Sequence, residues 1–403
     1  MRFAGCGLRD STRTSHAAYW ASWADCVSVL QNRFPETSAR ILASLSRCEE
    51  QGHAVPFCIH AAVEAGRHCE EAGWEAKPAW QELHDGLRPP QPDQNESCLG
   101  EWAHGWQFHA SSAVENAEFE ALLVTLALPS TRSNAAAQGK ARIHSCRGPF
   151  ASSWLTVCPT TEQLQLKDSL LSCAVRRRLG LAVCYQGPDA HGYRRLADNT
   201  GARLNVRHTA MIAAWRQVFV EAGGQVPDRN IERLLRNSHF PVPPDDLRRL
   251  DILVPGLNVD RGRPLFCDAT VLSPLTRSGG PRAGTSNQGG RLLQTATTDN
   301  TNHYHEVTDT GLGALYCLGC EVYGRWSEQS IKLVPALARE HARGLHPRIR
   351  RGAALGFQHR WWGILSIALQ RAVAEAVLRE TGQDFCTAAL EPAPPLADLP
   401  VID

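Results

Sequence analysis

"DDLRRLDILVPGLNVDRGRPLFCDATVLSP", residues 245–274, decides the fold. It holds two short apolar runs, 249–254 and 264–272, each with one aspartate set into it, Asp251 and Asp268. Between them Gly256, Asn258 and Gly262 are residues that turn a chain back on itself, so the two runs read as the arms of a hairpin. With Pro255 set opposite Pro264, counting four residues back on one arm and four forward on the other opposes Asp251 to Asp268, on one face of the sheet. Directly opposed residues of an antiparallel pair have Cβ atoms about 4.5–5.5 Å apart, and like charges there repel. A shared proton, an arginine or a divalent cation must compensate. Mg²⁺ suits the geometry, because it takes one or two carboxylates and leaves positions for water and phosphate, where it can generate a nucleophile and stabilise developing charge. The structural alternative is that either aspartate holds a turn or binds Arg248 or Arg249, and a slip of one residue would send one carboxylate to the other face.

Working outward, residues 207–226, "RHTAMIAAWRQVFVEAGGQV", form an amphipathic helical pattern closed by Gly223 and Gly224. Strands are expected at about 225–231, 249–254 and 264–272, then a helix at 289–305, a strand within 314–324 and helices at 327–343 and 353–379. That order predicts an α/β class with a mixed sheet flanked by helices, over 205–380. In the last helix Trp362, Leu365, Leu369, Ala372 and Ala376 recur at core-facing intervals.

Upstream the text is helical. Residues 16–34 place Tyr19, Trp23, Cys26, Val27, Leu30 and Phe34 on one stripe, and further helices are expected at 38–49, ending near Gly52, and at 58–72, ending at Gly73. "LRPPQPDQNESC" (87–98) and "PSTRSNAAAQGK" (129–140) read as exposed connectors. An all-α module over 1–128 is therefore predicted, then a connector over 129–204 and a proline-rich tail over 381–403. Within the connector, Leu164, Leu166, Leu170, Leu171, Val175 and Leu179 suggest a helix whose other side carries Arg176, Arg177 and Arg178.

Formal charge is only +1, so no global field draws the chain to nucleic acid or membrane and any preference must be local. Lysine is scarce: Lys77, Lys140, Lys167 and Lys332 are all there are. The 14 cysteines lack the spacing of a disulfide framework, and no N-terminal apolar run precedes a cleavage site. These features predict an intracellular protein, nuclear or cytoplasmic and not secreted. No stretch reaches the about 18 to 20 apolar residues of a membrane span. The abrupt helical start reads as a chain that begins within something larger.

Taken together, "RHTAMIAAWRQVFVEAGGQV", "RRLDILVPG" (248–256), "GRPLFCDATVLSPL" (262–275) and "GLGALYCLGCEVYGRWS" (311–327) resemble the restriction-endonuclease-like, PD-(D/E)XK type domain found downstream of reverse transcriptase in non-LTR retrotransposons. "RGPFASSWLTVCPT" (147–160) and "FQHRWWGILSIALQRAVAEAV" (357–377) extend the likeness over about 141–380, and the helices before it are similar to the thumb-like or linker helices that follow such polymerases. The resemblance implies a metal-dependent DNA-nicking enzyme holding Mg²⁺ or Mn²⁺ on Asp251 and Asp268, with DNA and the parent element's RNA as partners. It also implies a lysine, two residues after the second acid or on the following helix. Thr270, Asn300 and His303 stand at those places, ahead of Tyr304, and no lysine occurs between Lys167 and Lys332.

The lysine's role is therefore vacant, or filled by Arg291 or His303. Arginine stabilises charge but hardly gives up its proton, whereas histidine can orient or deprotonate water near neutral pH. His303 is accordingly a candidate catalytic residue, and Glu232 a candidate third acid. Such elements also carry a Cys/His zinc knuckle. Here Cys184 remains, but Arg194 and Asp198 stand at later ligand places, and His191 and His208 do not complete a set of four donors, so no zinc is expected.

Arg339, Arg343, Arg348, Arg350, Arg351 and Arg360 meet only Glu340, and Arg343, Arg348, Arg350 and Arg351 are the candidate phosphate contacts. Cys317 and Cys320 read as buried small side chains, and Cys58, Ala62 and Cys69 as one packed face beside His60 and His68. Three outcomes stay open at this point: an active nicking enzyme, an inactive nucleic-acid-binding or structural remnant of the same fold, and a fragment without a role.

Overall fold

The computed structural model describes residues 11–51, 56–90, 105–126, 133–183, 189–197, 202–227 and 240–378. The chain divides into two compact units, one over residues 7–129 and one that begins at residue 130.

The first unit is helical: α1 (Ser11–Arg33), α2 (Pro35–Gln51), α3 (Phe57–Glu71), α4 (Trp80–His84) and α5 (Trp106–Thr125). Its core gathers Trp20, Trp74, Trp80 and Trp106, with Trp20 and Trp74 edge to face at 4.8 Å. The buried stripe of α1 is Ala17, Trp20, Ala21, Ala24 and Val27, whereas Tyr19, Cys26 and Phe34 are exposed. The stripe expected from the larger side chains is thus rotated. Alanines let α1 approach its neighbours closely, and Gly66 of α3 does the same, since a Cβ there would lie 2.9 Å from Trp20 Cδ1. Close approach of two helices outweighs the size of individual apolar side chains. In α3, Ala62 and Cys69 are buried as expected but Cys58 is exposed, and His68 stacks on His16 at 4.3 Å.

The second unit mixes helix and sheet and is mostly helical. Its helices are α6 (Ser133–Cys146), α7 (Asp168–Leu179), α8 (Tyr193–Ala197) and α9 (Ala202–Glu221), then α10 (Arg291–His303), α11 (His305–Asp309), α12 (Glu328–Ala342) and α13 (Arg350–Leu378). A three-stranded sheet has the order β1 (Ile252–Val254), β2 (Leu265–Leu272), β3 (Ala314–Glu321). The β1–β2 pair is antiparallel and β2–β3 parallel, so the chain hairpins once and then crosses over through α10. Helices α9, α10 and α12 pack against the strands, and α13, with Trp361, Trp362, Leu365, Leu369, Ala372 and Ala376 buried, packs on α7, α9 and α12.

Three expectations are corrected. Residues 133–140 are helical rather than a loop, because Ala135–Ala137 favour helix and Ala141, Ile143 and Cys146 supply a buried face. Arg177 and Arg178 are 3 % and 2 % exposed, while Leu171 and Leu179 face out. Their guanidiniums are accommodated inside: Arg177 Nη2 donates to the Val322 carbonyl at 3.0 Å and lies over the Tyr323 ring, and Arg178 Nη2 donates to Ser152 Oγ at 2.6 Å. No strand occupies 225–227, where Pro227 has no amide to give a ladder and Gln225 N instead donates to the Pro255 carbonyl. Residues 228–239, Glu232 among them, lie outside the described residues, as do Cys184, Asp198 and the tail from 379.

Candidate functional site

The β1–β2 register pairs Ile252 with Cys267, Leu253 with Phe266 and Val254 with Leu265. Continued by one residue it would oppose Asp251 to Asp268, as the sequence predicts, but the ladder ends at Ile252 and the two acids are neighbours without being a paired rung. The chain bends at that step: Asp251 N donates to the carbonyl of Cys267, already the partner of Ile252, so two residues share one as in a β-bulge. Such a step re-aims a side chain without breaking the pair.

Each carboxylate is anchored through one oxygen. Asp251 Oδ2 accepts from Ala269 N at 2.8 Å and meets His208 Nε2 at 3.0 Å. Asp268 Oδ2 accepts from Asn300 Nδ2 at 2.9 Å and from Thr270 Oγ1 at 3.4 Å. Among the described residues neither Oδ1 has a hydrogen-bond partner. Three elements converge here: His208 comes from α9, the acids from the hairpin, and Asn300 from α10.

Burial pushes the Asp268 carboxyl up to about 7, with the negative charge of Asp251 adding to the rise and His208 opposing it. His208 is itself raised, chiefly by its hydrogen bond to Asp251. The Tyr304 phenol is pushed up by burial and by both aspartates, and its hydroxyl donates to the Arg249 carbonyl.

A carboxyl raised in the fold binds its proton more tightly there than in the unfolded chain. Its contribution to stability is complete below about pH 3.8 and is lost as pH rises through about 7. His208 acts in the same direction. Asp268→Asn is therefore expected to become more stable than the native chain as pH is raised from 5 to 8, with the two nearly equal at pH 4. Urea-unfolding midpoints across that range check it, and parallel midpoint curves would refute it.

The other sequence candidates are placed differently. His303 is exposed at the end of α10, packs edge to face on Tyr304 at 4.6 Å, and makes no hydrogen bond to either acid among the described residues. Its ring sits one turn beyond Asn300, on the side toward Asp246, so the catalytic role expected of it is not supported. Arg248 binds Asp246 and Glu306, not Asp251. Arg291 sits at the other end of α10, nine positions before Asn300.

Arg343 and Arg348 lie exposed between α12 and α13, and Arg350 and Arg351 lie exposed in the first turn of α13. Arg343 pairs with Glu340 at 3.2 Å, and Arg350 Nε donates to the Leu345 carbonyl at 2.7 Å. Arg360 does not belong with them, since it forks onto Glu221 of α9 at 2.7 and 2.8 Å. Cys317 and Cys320 are both buried in β3. His191 stacks on Tyr193 at 5.0 Å.

The contacts of His208 and Asn300 were not foreseen. His208 falls on the core-facing stripe of α9, three and seven positions before the buried Met211 and Trp215, and a histidine there was the available signal. Asn300 was seen only as the place where a lysine is missing.

Among the described residues no three or more His, Cys, Asp and Glu side chains converge as a metal-binding group. A cation between Asp251 and Asp268 would complete its shell with water and substrate oxygen, as Mg²⁺ does. Among the described residues no helix is long and apolar enough to cross a membrane. Comparison with protein-family models, with curated proteins and with solved structures finds no match to this chain.

Proposed function

We propose that the second unit is a restriction-endonuclease-like nuclease domain that nicks DNA, with a divalent cation bound by Asp251 and Asp268. One observation carries this: two neighbouring carboxylates, each tethered by Oδ2, both keep Oδ1 free of donors among the described residues. Donors fixed on one oxygen orient a carboxylate and leave the other as a ligand, the arrangement by which outer partners tune metal sites. Bound there, Mg²⁺ or Mn²⁺ would supply Lewis acidity toward a phosphodiester oxygen. The chain's own part is to hold the acids. His208 fixes Asp251, Asn300 fixes Asp268, and the bend at Asp251 sets the angle between them.

A second reading, an inactive remnant of the same fold, is favoured by Asn300. Its amide occupies the space beside Asp268 where the resemblance puts a lysine, and it is 7 % exposed with Oδ1 unpartnered. An amide neither carries charge nor moves a proton.

Conversion of supercoiled plasmid to open circle, with Mg²⁺ or Mn²⁺ against EDTA, tests the proposal. Asn300→Lys is expected to raise the nicking rate by about tenfold or more, below the usual 10²–10⁴ span of positioned acid–base groups because the new side chain is not preorganised. A rate in metal no higher than in EDTA, for both proteins, would favour the remnant.

A further inference from the structure

The parallel strands β2 and β3 end at Leu272 and Glu321, and the chain from 273 to 290 folds back on itself beyond that edge. This segment is firmly built. Leu275 bridges Pro281, Thr276 N donates to the Gly280 carbonyl at 2.7 Å, Arg282 N donates to the Pro274 carbonyl at 2.9 Å, and Thr285 Oγ1 caps the same carbonyl at 3.0 Å. Between this segment and the first turn of α10 lies an open cleft of about 820 Å³.

Its walls are largely apolar, from Pro281, Ala283 and Leu292, and the charge set into them is cationic. Arg282 and Arg291 face it with Thr276, Asn287, Gln288 and Thr295, and no carboxylate lines it. Among the described residues neither guanidinium has a hydrogen-bond or ion-pair partner, and Arg282 Nε is shielded from solvent as well. The stem of Arg291 is seated on Gly284, where a Cβ would come within 3.3 Å of Arg291 Cγ. Two unneutralised arginines held over a cleft call for an anion, and their planar forks suit phosphate oxygens. In sheets of this type the crevice beyond the carboxyl ends of parallel strands is where ligands collect.

The cleft also shares a helix with the carboxylate pair. Arg291 opens α10 and Asn300, on Asp268, lies nine residues later, about 13 Å at 1.5 Å per residue. Along the axis of B-form DNA, with about 3.4 Å of rise per nucleotide of one strand, that equals the rise of about four nucleotides.

We propose that this cleft is a phosphate-binding subsite for a DNA strand, in which Arg282 and Arg291 grip the backbone a few nucleotides from the phosphate presented to Asp251 and Asp268. It rests on the nuclease reading for its distance to the reacting centre, but not for its own chemistry. The cleft positions without reading sequence, because backbone contacts carry no base information.

The test is fluorescence anisotropy of a labelled 20-nucleotide DNA, single-stranded and duplex, titrated with the full chain in EDTA over a series of salt concentrations. Plasmid nicking is run in parallel. Arg282→Ala and Arg291→Ala are each expected to weaken binding several-fold and to lower the slope of log affinity against log salt by about one. The Arg→Lys variants should keep the slope, which separates lost charge from lost packing. Binding that depends on both arginines in a chain that does not nick would uphold the cleft and remove the nuclease reading. Nicking with salt slopes unchanged in both alanine variants would do the reverse. Competition by millimolar inorganic phosphate that matches an equal concentration of DNA phosphate would overturn the subsite as a strand-binding one and leave a small-anion pocket.

Discussion

Asp268→Ala is expected to lower Mg²⁺-dependent plasmid nicking more than about 100-fold, since even the outer partners of metal ligands are worth 10–100-fold. Asp268 is half-buried in β2. Its carboxyl is held up to about 7 by burial and by Asp251, so it is not fully ionised at neutral pH. A bound divalent cation reverses that balance by stabilising the ionised form, and binding should release protons. Two features follow from one cause: the nicking rate should rise with pH through about 7, and the Mg²⁺ concentration for half-maximal rate should fall over the same range. The alanine variant loses both, whereas Asp268→Asn keeps the shape and loses the charge. Gel conversion of supercoiled to open-circular plasmid at pH 6, 7 and 8 measures the effect. Equal rates in the native and alanine chains would remove Asp268, and with it the proposed chemistry.

Much of this centre was written in the local pattern. The hairpin register follows from two prolines flanking a turn-rich connection, from which counting along each arm sets the pairing, a property of adjacent residues. Helices α12 and α13 were legible for the same reason: their buried residues recur at helical intervals. What could not be read depends on residues distant in sequence. Whether His208 meets Asp251, 43 positions away, is set by how α9 crosses the hairpin, and whether Asn300 or His303 faces Asp268 is set by the phase of α10 on the sheet. The two lie nearly one turn apart along the helix and about 60° apart around it, and nothing local fixes which of them meets the acid.

Charge misled as well. Arg177 and Arg178 looked like a solvated face because isolated guanidiniums avoid the interior, yet carbonyl, hydroxyl and aromatic partners from other segments admit them. In α1 the large side chains drew the stripe to Tyr19 and Phe34, while the alanines that permit close packing defined the buried one.

Arg248→Ala is expected to destabilise the second unit by about 3 kcal/mol, toward the lower end of the 3–5 kcal/mol seen when one member of a buried ion pair is removed. Asp246 and Glu306 have side chains 6 % and 11 % exposed, and Arg248, at 22 %, lies between them. Its Nη2 is 2.6 Å from Asp246 Oδ2, its Nη1 is 3.1 Å from Glu306 Oε2, and it also donates to the His303 carbonyl. Without it two largely buried carboxylates face each other with only the residue-248 amide on Asp246 and the His305 ring, 3.6 Å from Glu306, as partners. Water reaching the partly open arginine position softens that penalty, which places the effect near 3 rather than 5 kcal/mol. The network ties the lead-in to β1, three residues before Asp251, to the junction of α10 and α11, so its loss should also loosen the approach of Asn300 to Asp268. Hydrogen bonds from Arg248 hold both carboxyls below their usual range, so this stabilisation is present above about pH 4.5 and is lost as pH falls through their depressed folded values. The deficit of the alanine variant should therefore shrink in acid, opposite in sign to the Asp268→Asn effect. Lysine cannot fork onto two acids, so Arg248→Lys should recover only part of the loss. Urea unfolding at pH 7 and pH 3.5 distinguishes these outcomes, and a variant within 1 kcal/mol of the native chain at pH 7 would mean that the two acids find water instead of needing the arginine.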